Sequence, residues 1–210
     1  MTDPHPPIAL AISDGTGRTA DELVQWAQRL SGAGVDAVQL REKTLTDLQV
    51  FHRAKALVAA LSATATRVIV NARFDIAIAA KVSGVHLPAT GISTSEVRRA
   101  VPEPFLVGRS THSLEEISDA FAAGADYVTF GPIFDTPSKR EFGPPQGLAQ
   151  LRRAAALDGW VVALGGIELD TIDSLAAAGV SGFAGIRIFQ GATATIAGAV
   201  QTMGRRPGKK

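Results

Sequence analysis

The chain has 210 residues, 46% apolar and 20% charged, with 21 Gly, 11 Pro and no Cys; one large domain or two small ones can bury a substantial core at that length. The lack of cysteine excludes disulfide scaffolds, Cys-ligated zinc, iron–sulfur clusters and thiol catalysis. Lys and Arg number 21 against 20 Asp and Glu, and four of the positives sit in the last seven residues, so the remaining body is slightly acidic and argues against general nucleic-acid binding.

No run of about 18 apolar residues suggests a membrane span. The opening Met-Thr-Asp-Pro-His-Pro-Pro lacks the basic and apolar regions of a signal peptide. The expectation is a cytoplasmic globular protein with a flexible start (1–7), one folded domain (8–203) and a basic tail (204–210).

Short apolar runs rich in β-branched residues fall at 8–12, 36–41, 67–71, 84–87, 105–109, 126–131, 160–165 and 181–186. Each reads as a parallel strand covered on both faces. The segments between them open on helix N-cap signals. Thr19 with Glu22, Ser93 with Glu96 and Ser113 with Glu116 have capping-box spacing, in which hydroxyl and carboxylate satisfy free N–H groups at the helix start. Gly34, Gly124 and Gly179 stand where helices end and a left-handed residue is wanted.

A weak repeat supports the same alternation. Gly34-Val-Asp-Ala-Val, Lys81-Val-Ser-Gly-Val, Gly124-Ala-Asp-Tyr-Val and Gly179-Val-Ser-Gly-Phe are spaced by 47, 43 and 55 residues, about two strand–helix units each. They precede the second, fourth, sixth and eighth strands. Eight such units predict an α/β fold of the (β/α)8 TIM-barrel type, with the doubly wound open sheet as the rival. In a barrel the reactive surface lies at the C-terminal strand ends, so polar residues there are the functional candidates.

The second strand ends in Gln39-Leu40-Arg41-Glu42-Lys43, where Arg41 and Lys43 could receive an anion; a solvated loop with Glu42 pairing locally is the alternative. Asn71, ending the third strand, offers an amide donor and acceptor to a ring or carboxylate, or merely caps the next helix. The fifth strand runs into Gly108-Arg109-Ser110-Thr111-His112. His112 sits beside a helix N-terminus, a setting that suits general-base work, although a polar loop role is equally open. His86 lies within the fourth strand and is a weaker candidate.

After the sixth strand comes the longest loop, 131–147, with Asp135, Thr136, Ser138 and Lys139; such a loop usually covers substrate. Gly165-Gly166 after the seventh strand, with Gly185 and Arg187 after the eighth, stand where barrels commonly cradle phosphate. The strand ends show no carboxylate pair spaced for a metal, so neither metal nor cofactor is expected.

Together these segments resemble the thiamine phosphate synthase superfamily. The matching stretches are VQLREK (38–43), VNARFDIA (70–77), GVHLP (84–88), VGRSTHSLEE (107–116), GADYVTFGPIFDTPSK (124–139), PPQGL (144–148) and ALGGI (163–167), spanning roughly 35 to 190. The resemblance implies a thiamine-pathway barrel acting on a phosphorylated thiazole. The synthase couples a hydroxymethylpyrimidine diphosphate to a thiazole phosphate, and its pattern carries two magnesium-holding aspartates after strands three and four. This sequence has Ala72 and Gly91 there.

Those departures look like the sister branch, the thiazole tautomerase, an isomerase that moves a proton without metal or cofactor. On that resemblance His112 matches the proton-transferring histidine and Gly165 and Gly166 the phosphate turn. Arg41, Asn71, Arg109, Ser110, Thr136 and Lys139 match ligand-contacting positions in one or both branches. A tautomerase is therefore the leading expectation, with a synthase the alternative; the latter would need Asp135 or water to help hold magnesium. A non-catalytic binder of thiazole or thiamine phosphates is a third reading. A small phosphorylated ligand, no nucleic acid and no membrane are the expected partners, and a homo-oligomer is compatible with all three.

Overall fold

The computed structural model describes residues 6, 8–136 and 144–204. The expected flexible start and basic tail fall almost wholly outside these, as do Ser138 and Lys139. Eight parallel strands close into a barrel in chain order, β1 pairing with β8. They are β1 (Ala9–Ile12), β2 (Ala37–Leu40), β3 (Arg67–Asn71), β4 (Gly84–Leu87), β5 (Leu106–Thr111), β6 (Tyr127–Phe130), β7 (Val161–Leu164) and β8 (Gly182–Gly185). The helices are α1 (Ala20–Gly32), α2 (Asp47–Leu61), α3 (Phe74–Ala80), α4 (Thr94–Ala100), α5 (Leu114–Ala122), α6 (Gly147–Ala155), α7 (Ile172–Ala178) and α8 (Thr193–Gly204). The (β/α)8 expectation holds. All eight strands lie where the apolar runs put them, with β5 extending two residues further, through Ser110 and Thr111.

The period-2 alternation of each strand splits the core in two. Outward-facing residues such as Val38, Val70, Val85, Val107 and Val128 meet the helices in one large cluster. Inward-facing Leu10, Ile12, Ala37, Ile69, Tyr127, Val162 and Ala184 fill the barrel itself. Toward the C-terminal ends the interior turns polar, with Ser13, Gln39, His86 and Thr129 all buried.

Two of the three expected capping boxes form fully, at Thr19–Glu22 and Ser93–Glu96, and a further one forms at Thr46–Gln49. At α5 only half of it forms. Ser113 accepts from Glu116 N–H at 3.1 Å, but the Glu116 carboxylate accepts instead from His112 N–H at 2.5 Å. The three helix-end glycines all have left-handed backbone, with φ of 80° at Gly34, 91° at Gly124 and 81° at Gly179. Among the described residues no helix is long and apolar enough to cross a membrane.

Candidate active site

The C-terminal mouth is built mainly from the ends of β2 to β6 and the turns after β7 and β8. Gln39 faces the barrel interior, 1% exposed, and its amide nitrogen is buried without a hydrogen-bond partner. Leaving such a donor unmade costs about 1–3 kcal/mol, which makes it a candidate ligand contact. Next to it, the Arg41 backbone N–H donates to the buried Ser13 hydroxyl at 2.8 Å, which pins the start of the loop. Beside it a cavity of about 230 Å³ lies between the ends of β2 and β3 and the start of α2, lined by Arg41, Glu42, Lys43, Asn71, Asp47 and Val50 among others. The structure thus brings together Arg41, Lys43 and Asn71, three of the residues singled out from sequence. Both carboxylate oxygens of Glu42 are buried there and unpartnered, so the local pairing considered for it does not form.

Arg109 goes elsewhere. Its guanidinium donates to Ile92 O at 2.8 Å and Ala89 O at 3.0 Å, bracing the loop after β4. Period-2 alternation explains this: Ser110 faces the interior, so its neighbour cannot. Ser110 itself is half-buried, with Oγ 3.0 Å from His86 Nε2. His112 lies at the rim just past β5, its Nδ1 within 2.6 Å of Gly131 O. Because a carbonyl can only accept, Nδ1 carries a proton and donates it.

His86 was undervalued in the sequence. It is 4% exposed, and burial, helped by the positive charge of Arg109, drives its pKa down to about 3, so the ring is neutral. Besides Ser110, it meets Tyr127 Oη at 3.2 Å through Nδ1 and Thr129 Oγ1 at 3.3 Å through Nε2. A histidine in a four-residue strand of a closed barrel must face either helices or interior, and the interior choice was the available signal.

The loop after β6 is tied down at both ends. Ile133 and Phe134 N–H donate to Leu164 O and Gly165 O at 2.9 and 3.0 Å, and Gln146 and Gly147 N–H to Pro132 O and Ile133 O at 2.8 and 3.0 Å. Thr136 is half-buried at the edge of the described segment. The turn after β7 is fitted against this loop base. Gly165 and Gly166 have φ of 98° and 65°, and an added Cβ would sit 2.7 Å from Pro132 Cα or from Asp135 O. Only glycine allows both that backbone and that approach. A short 3-10 turn, Leu169–Thr171, then leads into α7. After β8, Gly185 is followed by a second 3-10 turn opening at the exposed Arg187, whose guanidinium lies 4.0 Å from Glu168.

Residues 9–189 match the family model described as thiamine monophosphate synthase. The chain belongs to the thiamine monophosphate synthase family. A thiamine-phosphate synthase of Methanoculleus marisnigri is 40% identical over 171 residues, 81% of this chain and 80% of the relative. One from Methanoregula boonei is 37% identical over 192 residues, 90% and 88%. Among solved structures, a thiamine phosphate pyrophosphorylase from Pyrococcus furiosus superposes with a TM-score of 0.81 at 27% identity, covering 93% of this chain and 96% of that one. These relatives overturn the tautomerase expectation. They carry the names of a coupling enzyme, a transferase and not an isomerase, and support the alternative. The proton transfer for which His112 was singled out belongs to the isomerase reaction and goes with it.

Synthases of this family imply magnesium, and the donor set here does not fit it. The two positions that would supply carboxylates hold Ala72 and Gly91. Asp47 and Asp75 are both paired with Arg73, and Asp14 is held by Arg18 at 2.8 Å. Among the described residues no three His, Asp or Glu side chains converge. Glu42 offers one carboxylate, its two oxygens buried without a partner, and a single such group does not make the pair that the family's pattern carries.

Proposed function

We propose that this chain is a thiamine-phosphate synthase that joins a hydroxymethylpyrimidine diphosphate to a thiazole phosphate and releases diphosphate. The observation that carries this reading is the identity of 37–40% to thiamine-phosphate synthases over at least four-fifths of each chain. The chemistry of the mouth supports it. In the coupling step the bond from the pyrimidine methylene carbon to the diphosphate oxygen breaks, and the electron pair leaves with diphosphate. The thiazole ring nitrogen donates its lone pair to form the new C–N bond. No proton moves, so no general base is required, and His112 serves to anchor the β6 rim through Gly131.

The charge that develops is on the leaving diphosphate. Arg41 and Lys43, carried at the end of β2, are its proposed partners, a fork and a point charge aimed at phosphate oxygens. Gln39, Asn71 and Ser110 are proposed to orient the pyrimidine ring. The Gly165–Gly166 turn, with Gly185 and Arg187, would hold the thiazole phosphate, and the loop carrying Thr136, Ser138 and Lys139 would cover the pair.

The test is direct. Purified protein given both substrates should release diphosphate, read by phosphorus NMR, in step with a coupled product detected by mass. Absence of coupling with both substrates saturating would overturn the assignment.

A further inference from the structure

Gly108 occupies the place between His86 and Tyr127 in the cross-strand register, His86 pairing with Gly108 and Gly108 with Tyr127. A Cβ there would lie 2.2 Å from Tyr127 Cζ and 2.6 Å from His86 Nδ1. The missing side chain lets two residues from non-adjacent strands touch through the barrel interior. Tyr127 is fully buried, and its hydroxyl lies 3.2 Å from His86 Nδ1, an acceptor within reach of the phenol proton.

That contact sets the direction of a chain of hydrogen bonds. A buried phenol must place its proton on an acceptor, and here the acceptor is Nδ1. The neutral imidazole therefore carries its own proton on Nε2. Nε2–H points at Ser110 Oγ, 3.0 Å away, with Thr129 Oγ1 at 3.3 Å. Thr129 Oγ1 also donates to Ser110 Oγ at 3.5 Å. Ser110 Oγ thus accepts from within the barrel, and its own O–H is left with no acceptor among the described residues.

We infer that His86 and Tyr127 are positioning residues which hold the Ser110 hydroxyl as a donor toward a substrate acceptor, a ring nitrogen or a phosphate oxygen. This rests on the synthase reading for the identity of the substrate but not for the direction of the relay. Burial keeps the ring neutral, so the single proton stays on one nitrogen throughout the working pH range.

Two measurements test it. Nitrogen-15 NMR of the free protein, with His86→Gln used to assign the signal, should show Nδ1 unprotonated and Nε2 protonated; the opposite tautomer overturns the inference. Calorimetric binding of hydroxymethylpyrimidine diphosphate then gives a double-mutant cycle. The isosteric Tyr127→Phe should weaken binding about tenfold when Ser110 is present and less than twofold in Ser110→Ala. His86→Gln, whose amide can accept from Tyr127 and donate to Ser110, should bind more tightly than His86→Leu. Equal losses from Tyr127→Phe in both backgrounds would mean that the tyrosine acts only by packing, and the relay falls. A wild-type protein that binds no pyrimidine diphosphate defeats the synthase reading, while the tautomer measurement still decides the relay.

Discussion

The two ends of the barrel treat polar groups in opposite ways. At the N-terminal floor they are paired off. Asp36 accepts from Ala9 N–H at 2.8 Å and Thr66 donates to Val35 O at 2.7 Å. Asp126 accepts from Val107 N–H at 2.6 Å and pairs with Arg98, which also donates to Phe105 O at 2.8 Å and Gly124 O at 3.1 Å. Asp36 and Asp126 are the acidic members of the sequence repeat, and each clamps an N–H at the start of a neighbouring strand, Ala9 the first of β1 and Val107 the second of β5. Among the described residues, the buried side-chain atoms left without partners lie elsewhere: Gln39 Nε2, both Glu42 oxygens and Arg53 Nε, in β2, the loop after it and α2. Paired groups at the floor stabilise the fold, and the unpaired ones at the end of β2 lie where the ligand contacts are proposed.

This contrast can be broken most severely at the mouth. Arg41→Ala should lower kcat/KM by roughly 10²–10³, the scale for losing one aimed charge in a transition state, with the urea midpoint unchanged. At the floor the reverse is expected. Asp126→Ala strands a strand N–H and a half-buried guanidinium and should cost about 2–3 kcal/mol of unfolding free energy, while activity per folded molecule holds.

Between the two ends sits His86. Its pKa is depressed from 6.5 to about 3 in the fold, so the unfolded chain binds a proton that the native one refuses. Stability should therefore be unaffected by this group above pH 6.5. It should fall by about 1.4 kcal/mol for each pH unit below that, levelling near pH 3. The difference between wild-type and His86→Gln unfolding across this window isolates the effect. The smallest change is the most diagnostic: Gln39→Met removes an unsatisfied donor and should leave the free protein equally stable or firmer by about 1 kcal/mol, yet raise KM for the pyrimidine substrate.

The barrel was legible because eight apolar, β-branched runs and their capping boxes each point to the same local structure. Gln39 and Asn71 were legible as polar residues breaking otherwise apolar strand ends. His86 was not, because its partners come from β5 and β6 and its contact with Tyr127 depends on a side chain that Gly108 lacks; register across strands decides it. Arg109 was misjudged for a related reason, since a one-residue step along β5 reverses the face. The Ser113 box was half right, because Glu116 has a closer claimant in His112 N–H. Ala72 and Gly91 drew the reading toward the isomerase, whereas identity spread along the whole chain speaks for the synthase.

The pairing of β1 with β8 has one more consequence, for self-association. Among the described residues every strand is flanked on both sides, leaving no open ladder onto which a second copy could graft another strand. The surface these residues leave for self-association is that of the outer helices and rim loops, where Leu48, Ile78, Ile92 and Leu169 stand exposed.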